Sequence, residues 1–312
     1  MADNTVESST SKRNRGIPLD LKWIENTCVD APAIEQAAES LAARITVTKE
    51  SQPSLLQAIT VMDLTTLADD DTDERVRRLC ARGRQPLPPE LLSRLGIAGG
   101  ELKVAAVCIY HPFIKTALHE LQGTGIKVAT VSADFPKGLA PMKERIAQIH
   151  RSVEAGADEI DVVIKREHVL QEQWQTLYDE VAAFRAACGN KLMKVILGTG
   201  DLQTLDNIAR ASLVAMMAGA DFIKTSTGKE AVNATLDAAL VMTQAIREYA
   251  KKTGTAVGFK PAGGIRTAKQ ALEYLSVVKE ELGGQWLAPN LFRIGASSVL
   301  DDIERHLRQL AG

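Results

Sequence analysis

Three features of the sequence predict an α/β fold, a TIM (β/α)8 barrel with an N-terminal helical extension. Short apolar runs with strand character recur eight times over about 250 residues, each followed by a stretch with helical spacing. Glycine-rich turns with hydroxyl residues and lysines follow the last three of these runs, where such barrels build anion sites. The first run lacks the G-x-G-x-x-G turn that would favour a doubly wound sheet holding a dinucleotide.

Taken in order, residues 1–16 (MADNTVESSTSKRNRG) are polar, lack the apolar core of a signal peptide and read as a disordered tail. Asp30 before Ala31 and Pro32 is a helix start, and Ile34, Ala37, Ala38, Leu41 and Ile45 fall at helical spacing, which gives a helical extension over 17–50. The barrel occupies 51–312, with strands expected at 58–64, 103–109, 126–132, 158–164, 191–197, 220–225, 255–260 and 291–295. Helices are expected at 71–82, 113–122, 140–155 and 203–217 among others, and 84–101 (RQPLPPELLSRLGIAGGE) is a loop insertion with one short helix.

Composition narrows the function. The 312 residues are 45% hydrophobic and carry a net charge of -2, so there is no basic field for nucleic acid or anionic lipid; the one basic cluster, Lys12, Arg13 and Arg15, lies in the tail. No apolar run nears the roughly 20 residues that span a bilayer, and a cytoplasmic protein is expected. Cys28, Cys80, Cys108 and Cys188 are scattered without a C-x-x-C pair and are expected as free thiols. His111, His119, His150, His168 and His306 show no metal-ligand spacing, so no metal is expected.

The stretch AGADFIKTSTGK (218–229) ends an apolar strand on Lys224, where a buried ammonium is costly unless paired or neutral. An echo, AGADEID (155–161), puts Asp161 at the offset of Lys224, so the two belong at equal heights on the fourth and sixth strands and can meet inside the barrel. A buried salt bridge is the plainer reading of that pair. Lys260 ends the next strand, and its charge beside Lys224 would favour the neutral amine. A lysine at its ordinary pKa is neutral about once in 2,500 molecules at pH 7, a handicap of about 4.6 kcal/mol for a nucleophile. Lys224 is therefore the candidate for Schiff-base formation, with Asp161 moving protons. Asp63, ending the first strand, is a second acid with Thr65 beside it, since Asp69, Asp70 and Asp71 already suffice to cap the following helix. Cys108 is read as a small buried filler.

Thr227-Gly228-Lys229, Gly263-Gly264 and Gly295 to Ser298 follow strands six, seven and eight, and their backbone N–H groups, hydroxyls and lysine suit phosphate oxygens. Thr267 to Gln270 is a capping box that opens a helix just beyond Gly264.

DLTTL (63–67), AVCIY (106–110), GADEIDVV (156–163), ADFIKTSTGK (220–229) with VNAT (232–235), GFKPAGG (258–264) and RIGASS (293–298) closely resemble the deoxyribose-phosphate aldolase family over residues 58–310. The resemblance implies a class I aldolase that cleaves 2-deoxy-D-ribose 5-phosphate to acetaldehyde and D-glyceraldehyde 3-phosphate. It carries Schiff-base formation onto Lys224, proton transfer onto Asp161 and a pKa-lowering relay role onto Lys260. Substrate contacts fall on Asp63, Thr65 and Thr227, and phosphate contacts on Gly228, Lys229, Gly263, Gly264, Ser297 and Ser298. No cofactor is implied; the partner is a small phosphosugar, and a homodimer is expected. Two positions depart from the family pattern: Gly198 stands where many members have Glu, and the last tyrosine is Tyr274, where some members place one in a C-terminal tail.

Another Schiff-base phosphosugar lyase, or a transaldolase-like transferase with a three-carbon ketol donor, would use the same residues. A pyridoxal-phosphate protein would show a visible absorbance band, and a barrel that only binds phosphosugars would keep its affinity in Lys224→Ala.

Overall fold

The structure, a computed structural model, describes residues 13–311. Eight parallel strands form one sheet: β1 Met62–Thr65, β2 Ala106–Ile109, β3 Lys127–Ser132, β4 Glu159–Val163, β5 Leu192–Ile196, β6 Phe222–Lys224, β7 Gly258–Lys260 and β8 Ile294–Ala296. Neighbours pair in chain order from β1 to β7, and β8 pairs with β1. Bridges Phe259–Phe292 and Ala262–Gly295 join β7 to the β8 segment and close the barrel. The eight-stranded α/β barrel expected from the alternation of patterns is the fold.

Period-2 alternation divides the strand side chains between two environments. Leu64, Val107, Val128, Ile160, Val162, Val195 and Ile223 face the helices and belong to the main apolar core. Ala106, Cys108, Ala129 and Val131 form a separate small cluster on the inner face. Elsewhere the interior is charged: Asp63, Glu159, Asp161, Lys194, Lys224, Lys260 and Arg293 are all buried. A barrel with this interior excludes water around its ions, so each must find partners.

The first unit of the barrel differs from the sequence reading in two respects. The expected first strand began at residue 58, but Gln52–Thr60 is a helix that buries Leu55, Ala58 and Ile59. A short apolar run fits either period, and Pro53 in the first helical turn starts a helix. The helix Asp73–Arg84 is capped by Thr72, whose side chain accepts from the Arg75 N–H. The expected aspartate cap is not used; Asp71 instead accepts from Thr66 Oγ1 and the Ala68 N–H in the preceding loop. Within the insertion, Pro89–Arg94 is the one short helix.

Of the tail, residues 1–12 lie outside the described residues. Residues 13–16 are docked against the barrel: Asn14 is buried, its N–H donates to Asp221 Oδ1 at 2.9 Å, and its side-chain amide donates to the Met216 and Ala220 carbonyls. A polar asparagine that satisfies three loop groups is held without apolar burial, which polarity alone does not reveal. Beyond it lie the helices Leu21–Glu25 and Ala31–Arg44, the second capped by Asp30 and burying Ile34, Ala38 and Leu41. Ala31–Arg44 packs on the helices Leu236–Thr253 and Ala268–Leu282. Among the described residues no helix is long and apolar enough to cross a membrane.

Candidate active site

The charged interior is a single connected network. Lys224, at the end of β6, donates from Nζ to Asp161 Oδ2 at 2.8 Å, and Lys260, paired with it in register on β7, donates to the same oxygen at 2.8 Å. Equal offsets on the fourth and sixth strands thus bring Lys224 and Asp161 into contact. Lys260 Nζ also reaches Asp63 Oδ2 at 2.5 Å. Lys194 on β5 donates to Asp161 Oδ1 at 3.0 Å and Glu159 Oε2 at 2.5 Å. Arg293 closes the circuit, with Nη1 at 2.6 Å from Asp63 Oδ1 and Nη2 at 2.7 Å from Glu159 Oε1.

Burial alone would raise the carboxyl pKa values, but the surrounding cations outweigh it. Lys194, Lys224 and Lys260 hold Asp161 well below the usual carboxylate range, and Lys260, Arg293 and Lys194 do the same for Asp63. Burial alone would lower Lys260, and Asp161 and Asp63 reverse this and raise it above the ordinary lysine value. Lys260 is thus a fixed cation beside Lys224. Fully ionised, the network holds the four cations Lys194, Lys224, Lys260 and Arg293 against the three anions Asp63, Glu159 and Asp161.

Only Lys224 of this network lines the adjoining cavity, a space of about 400 Å³ at the carboxyl ends of β1, β6, β7 and β8. Its walls include Thr65, Thr227, Gly228, Lys229, Gly263, Gly264, Ser297 and Ser298, so those expected substrate and phosphate residues share one space with the amine. Asp63 does not line it. Its two oxygens are taken by Lys260 and Arg293, so the expected substrate residue is, in this structure, a partner of Lys260. Cys108 is fully buried with Sγ 4.0 Å from Asp161 Oδ2, and burial pushes its thiol up, away from the reactive thiolate.

The anion end of the cavity is formed by close approach of two loops. Gly263 has φ +81°, and a Cβ there would meet Asn233 Oδ1 at 2.7 Å and Gly228 Cα at 2.8 Å, so only glycine allows the two turns to touch. The capping box at Thr267 and Gln270 is present, starting the helix Ala268–Leu282 beside the cavity. The Gly228 N–H, expected to face an anion, donates instead to Glu230 Oε2 at 3.1 Å. Gly228 therefore shapes the turn, and with Lys229, the Gly263–Gly264 turn and Ser297–Ser298 it lines the cavity.

Sequence reasoning missed Lys194, Glu159 and Arg293 in the network and Arg266 on the cavity wall. The signal was available for the first three. Each is a charged residue inside an apolar strand run, KLMKVIL, DEIDVVI and LFRIG, and Glu159 lies two positions before Asp161 on the same strand face. Arg266 sits in a loop, where a charge carries no such signal. Among the described residues no group of three His, Cys, Asp or Glu is placed to hold a metal ion.

The family model for DeoC/LacD family aldolases matches residues 57–304, nearly the whole barrel. The chain belongs to this family. This aldolase is 52% identical over 300 residues to the deoxyribose-phosphate aldolase of Homo sapiens, covering 95% of this chain and 94% of that one. It is 53% identical to that of Mus musculus over 296 residues, covering 94% and 93%. A solved structure from Toxoplasma gondii ME49 superposes with a TM-score of 0.70 at 22% identity, over 84% of this chain and 95% of that chain. A tetrameric deoxyribose phosphate aldolase from Aeropyrum pernix gives 0.57 at 22% identity, covering 90% and 100%; both share the fold.

Proposed function

We propose that this aldolase reversibly cleaves 2-deoxy-D-ribose 5-phosphate to acetaldehyde and D-glyceraldehyde 3-phosphate through a Schiff base on Lys224. The observation that carries this reading is the position of Lys224, the one ammonium group of a charge-rich buried network that opens into a cavity with a glycine and serine anion end.

The neutral Lys224 amine attacks C1 of the open-chain sugar, and loss of water leaves an iminium ion. A base takes the proton from the 3-hydroxyl, the C2–C3 bond breaks, and its electrons pass to the iminium nitrogen to give an enamine. Glyceraldehyde 3-phosphate leaves; protonation of the enamine at C2 and hydrolysis then release acetaldehyde and restore the amine. Asp161 is the proton-transfer group of this proposal, accepting from Lys224 and Lys260 on one oxygen. In the resting network three lysines hold it as a weak base. Conversion of the Lys224 ammonium to a neutral amine or carbinolamine removes one of those cations and raises its basicity until loss of water restores the charge as the iminium. Lys260 supplies the fixed charge that favours the neutral form of its neighbour. Thr65 and Thr227 are proposed to bind the sugar hydroxyls, and Lys229, Gly263, Gly264, Ser297 and Ser298 the phosphate, with Gly228 shaping their turn.

A coupled assay for both products tests the reading. The wild type consumes 2-deoxyribose 5-phosphate and forms the two aldehydes in equal amounts, and Lys224→Ala forms neither. Transfer from a three-carbon ketol donor in preference to acetaldehyde would replace it by the transaldolase-like alternative. A homodimer remains part of the proposal on the strength of the resemblance, and a cytoplasmic place on the absence of long apolar runs in the sequence. Light scattering in solution then gives twice the chain mass of 33.7 kDa.

A further inference from the structure

Behind the Thr227–Lys229 turn, on the side away from the cavity, lies a carboxylate. Glu230 Oε2 accepts from the Thr227 N–H at 3.0 Å, the Gly228 N–H at 3.1 Å and Thr227 Oγ1 at 2.6 Å. Its side chain is 3% exposed. Its other oxygen, Oε1, accepts from Arg166 Nη2 at 2.8 Å. Arg166 follows β4 and is itself anchored, with Nη1 donating to the Pro136 carbonyl at 2.8 Å and the Lys137 carbonyl at 3.1 Å. The guanidinium crosses directly over Gly198, which has φ +70°; any Cβ at 198 would overlap Arg166 Nε. The glycine that departs from the family pattern thus clears the path by which Arg166 reaches Glu230.

These contacts join the loops after β3, β4 and β6 into one strut that passes over Gly198 and ends on the turn that carries Lys229. Three charge-assisted bonds from one buried carboxylate fix the backbone of Thr227 and Gly228, and hence the direction in which Lys229 leaves the turn. We infer that Glu230 and Arg166 form a positioning pair that sets the affinity of the cavity for the substrate's phosphate group, with Gly198 as the space that permits it. The pair touches no substrate atom; it acts through Thr227, Gly228 and Lys229. This rests on the phosphosugar reading of the cavity.

The test measures binding of inorganic phosphate by calorimetry, together with steady-state cleavage of 2-deoxyribose 5-phosphate and of unphosphorylated 2-deoxyribose. In Glu230→Ala and Arg166→Met the phosphate Kd rises about tenfold or more. KM for the phosphorylated sugar rises by a similar factor, and kcat/KM falls about tenfold further on the phosphorylated than on the unphosphorylated sugar. Glu230→Gln, which keeps one acceptor for the turn, falls between wild type and alanine, and Gly198→Ala reproduces Arg166→Met. Arg166→Met leaves the turn's own sequence intact, so it reads the strut even where Glu230→Ala does not fold. Phosphate affinity within twofold of wild type in Arg166→Met and Gly198→Ala, or equal losses on the two sugars, overturns the inference. A wild type that binds phosphate and cleaves neither sugar defeats the functional reading instead, and the calorimetric comparison still decides the strut.

Discussion

Lys224 and Lys260 both donate to Oδ2 of Asp161, each from 2.8 Å, so one carboxylate oxygen holds two ammonium groups that are register partners on adjacent strands. That oxygen is the hinge of the proposed chemistry. Replacing it with an amide in Asp161→Asn leaves three lysines around a neutral group. The expected result is a fall in kcat of at least about 100-fold and a loss of about 3 kcal/mol or more of stability, typical for a buried pair stripped of one partner. Turnover near wild type in a folded Asp161→Asn protein removes Asp161 from the mechanism.

Lys194 is informative because it touches Asp161 and Glu159 and does not line the cavity. Lys194→Met strips the buried Asp161 and Glu159 carboxylates of one shared cation. The expected result is a loss of about 3 kcal/mol or more of stability, read by denaturant melts. A variant as stable as wild type contradicts the place of Lys194 in the network.

Stability should follow the buried ions with a definite sign. Asp63 and Asp161 are depressed below their ordinary value of 3.8, so their contribution is present above that pH and is lost as pH falls through their folded values. Lys194 and Lys260 are raised above 10.5, so theirs is present below that pH and is lost as pH rises through their folded values. The network therefore contributes a plateau from about pH 4 to about pH 10, and denaturant melts carried below pH 4 and above pH 10 should show Asp63→Asn flattening the acid side only. A steeper acid loss in the variant than in wild type runs against the assignment.

Gly263 and Gly228 touch across the anion end of the cavity, and the side chain that Gly263 lacks has no room. Gly263→Ala is expected to raise KM for the phosphorylated sugar more than about tenfold, with a smaller effect on kcat, as read by steady-state kinetics. Equal KM values in variant and wild type would show that the turn relaxes at no cost.

The fold was legible because the alternation of strand and helix patterns is local, and eight repeats of it fix the barrel closely. The pairing of Lys224 with Asp161 was legible too, since two ungapped motifs gave equal offsets on strands of equal parity. The full network was not. Lys194, Glu159 and Arg293 are each a charge within an apolar run, and only the closed barrel brings β4, β5 and β8 together around one axis. Asp63 shows the same limit: its place at a strand end did not reveal that the register with β8 sets it beside Arg293. The Glu230 strut depends on Arg166 arriving from another loop, a distance in sequence of 64 residues.

The central claim is that Lys224 is the nucleophile, and borohydride reduction of the protein in the presence of acetaldehyde, followed by peptide mass mapping, tests it most directly. The account predicts one ethyl group on the peptide containing Lys224, absent from Lys224→Ala, with Lys194 and Lys260 unmodified. An unmodified Lys224 in intact, folded protein, or an adduct on Lys260 instead, would contradict it.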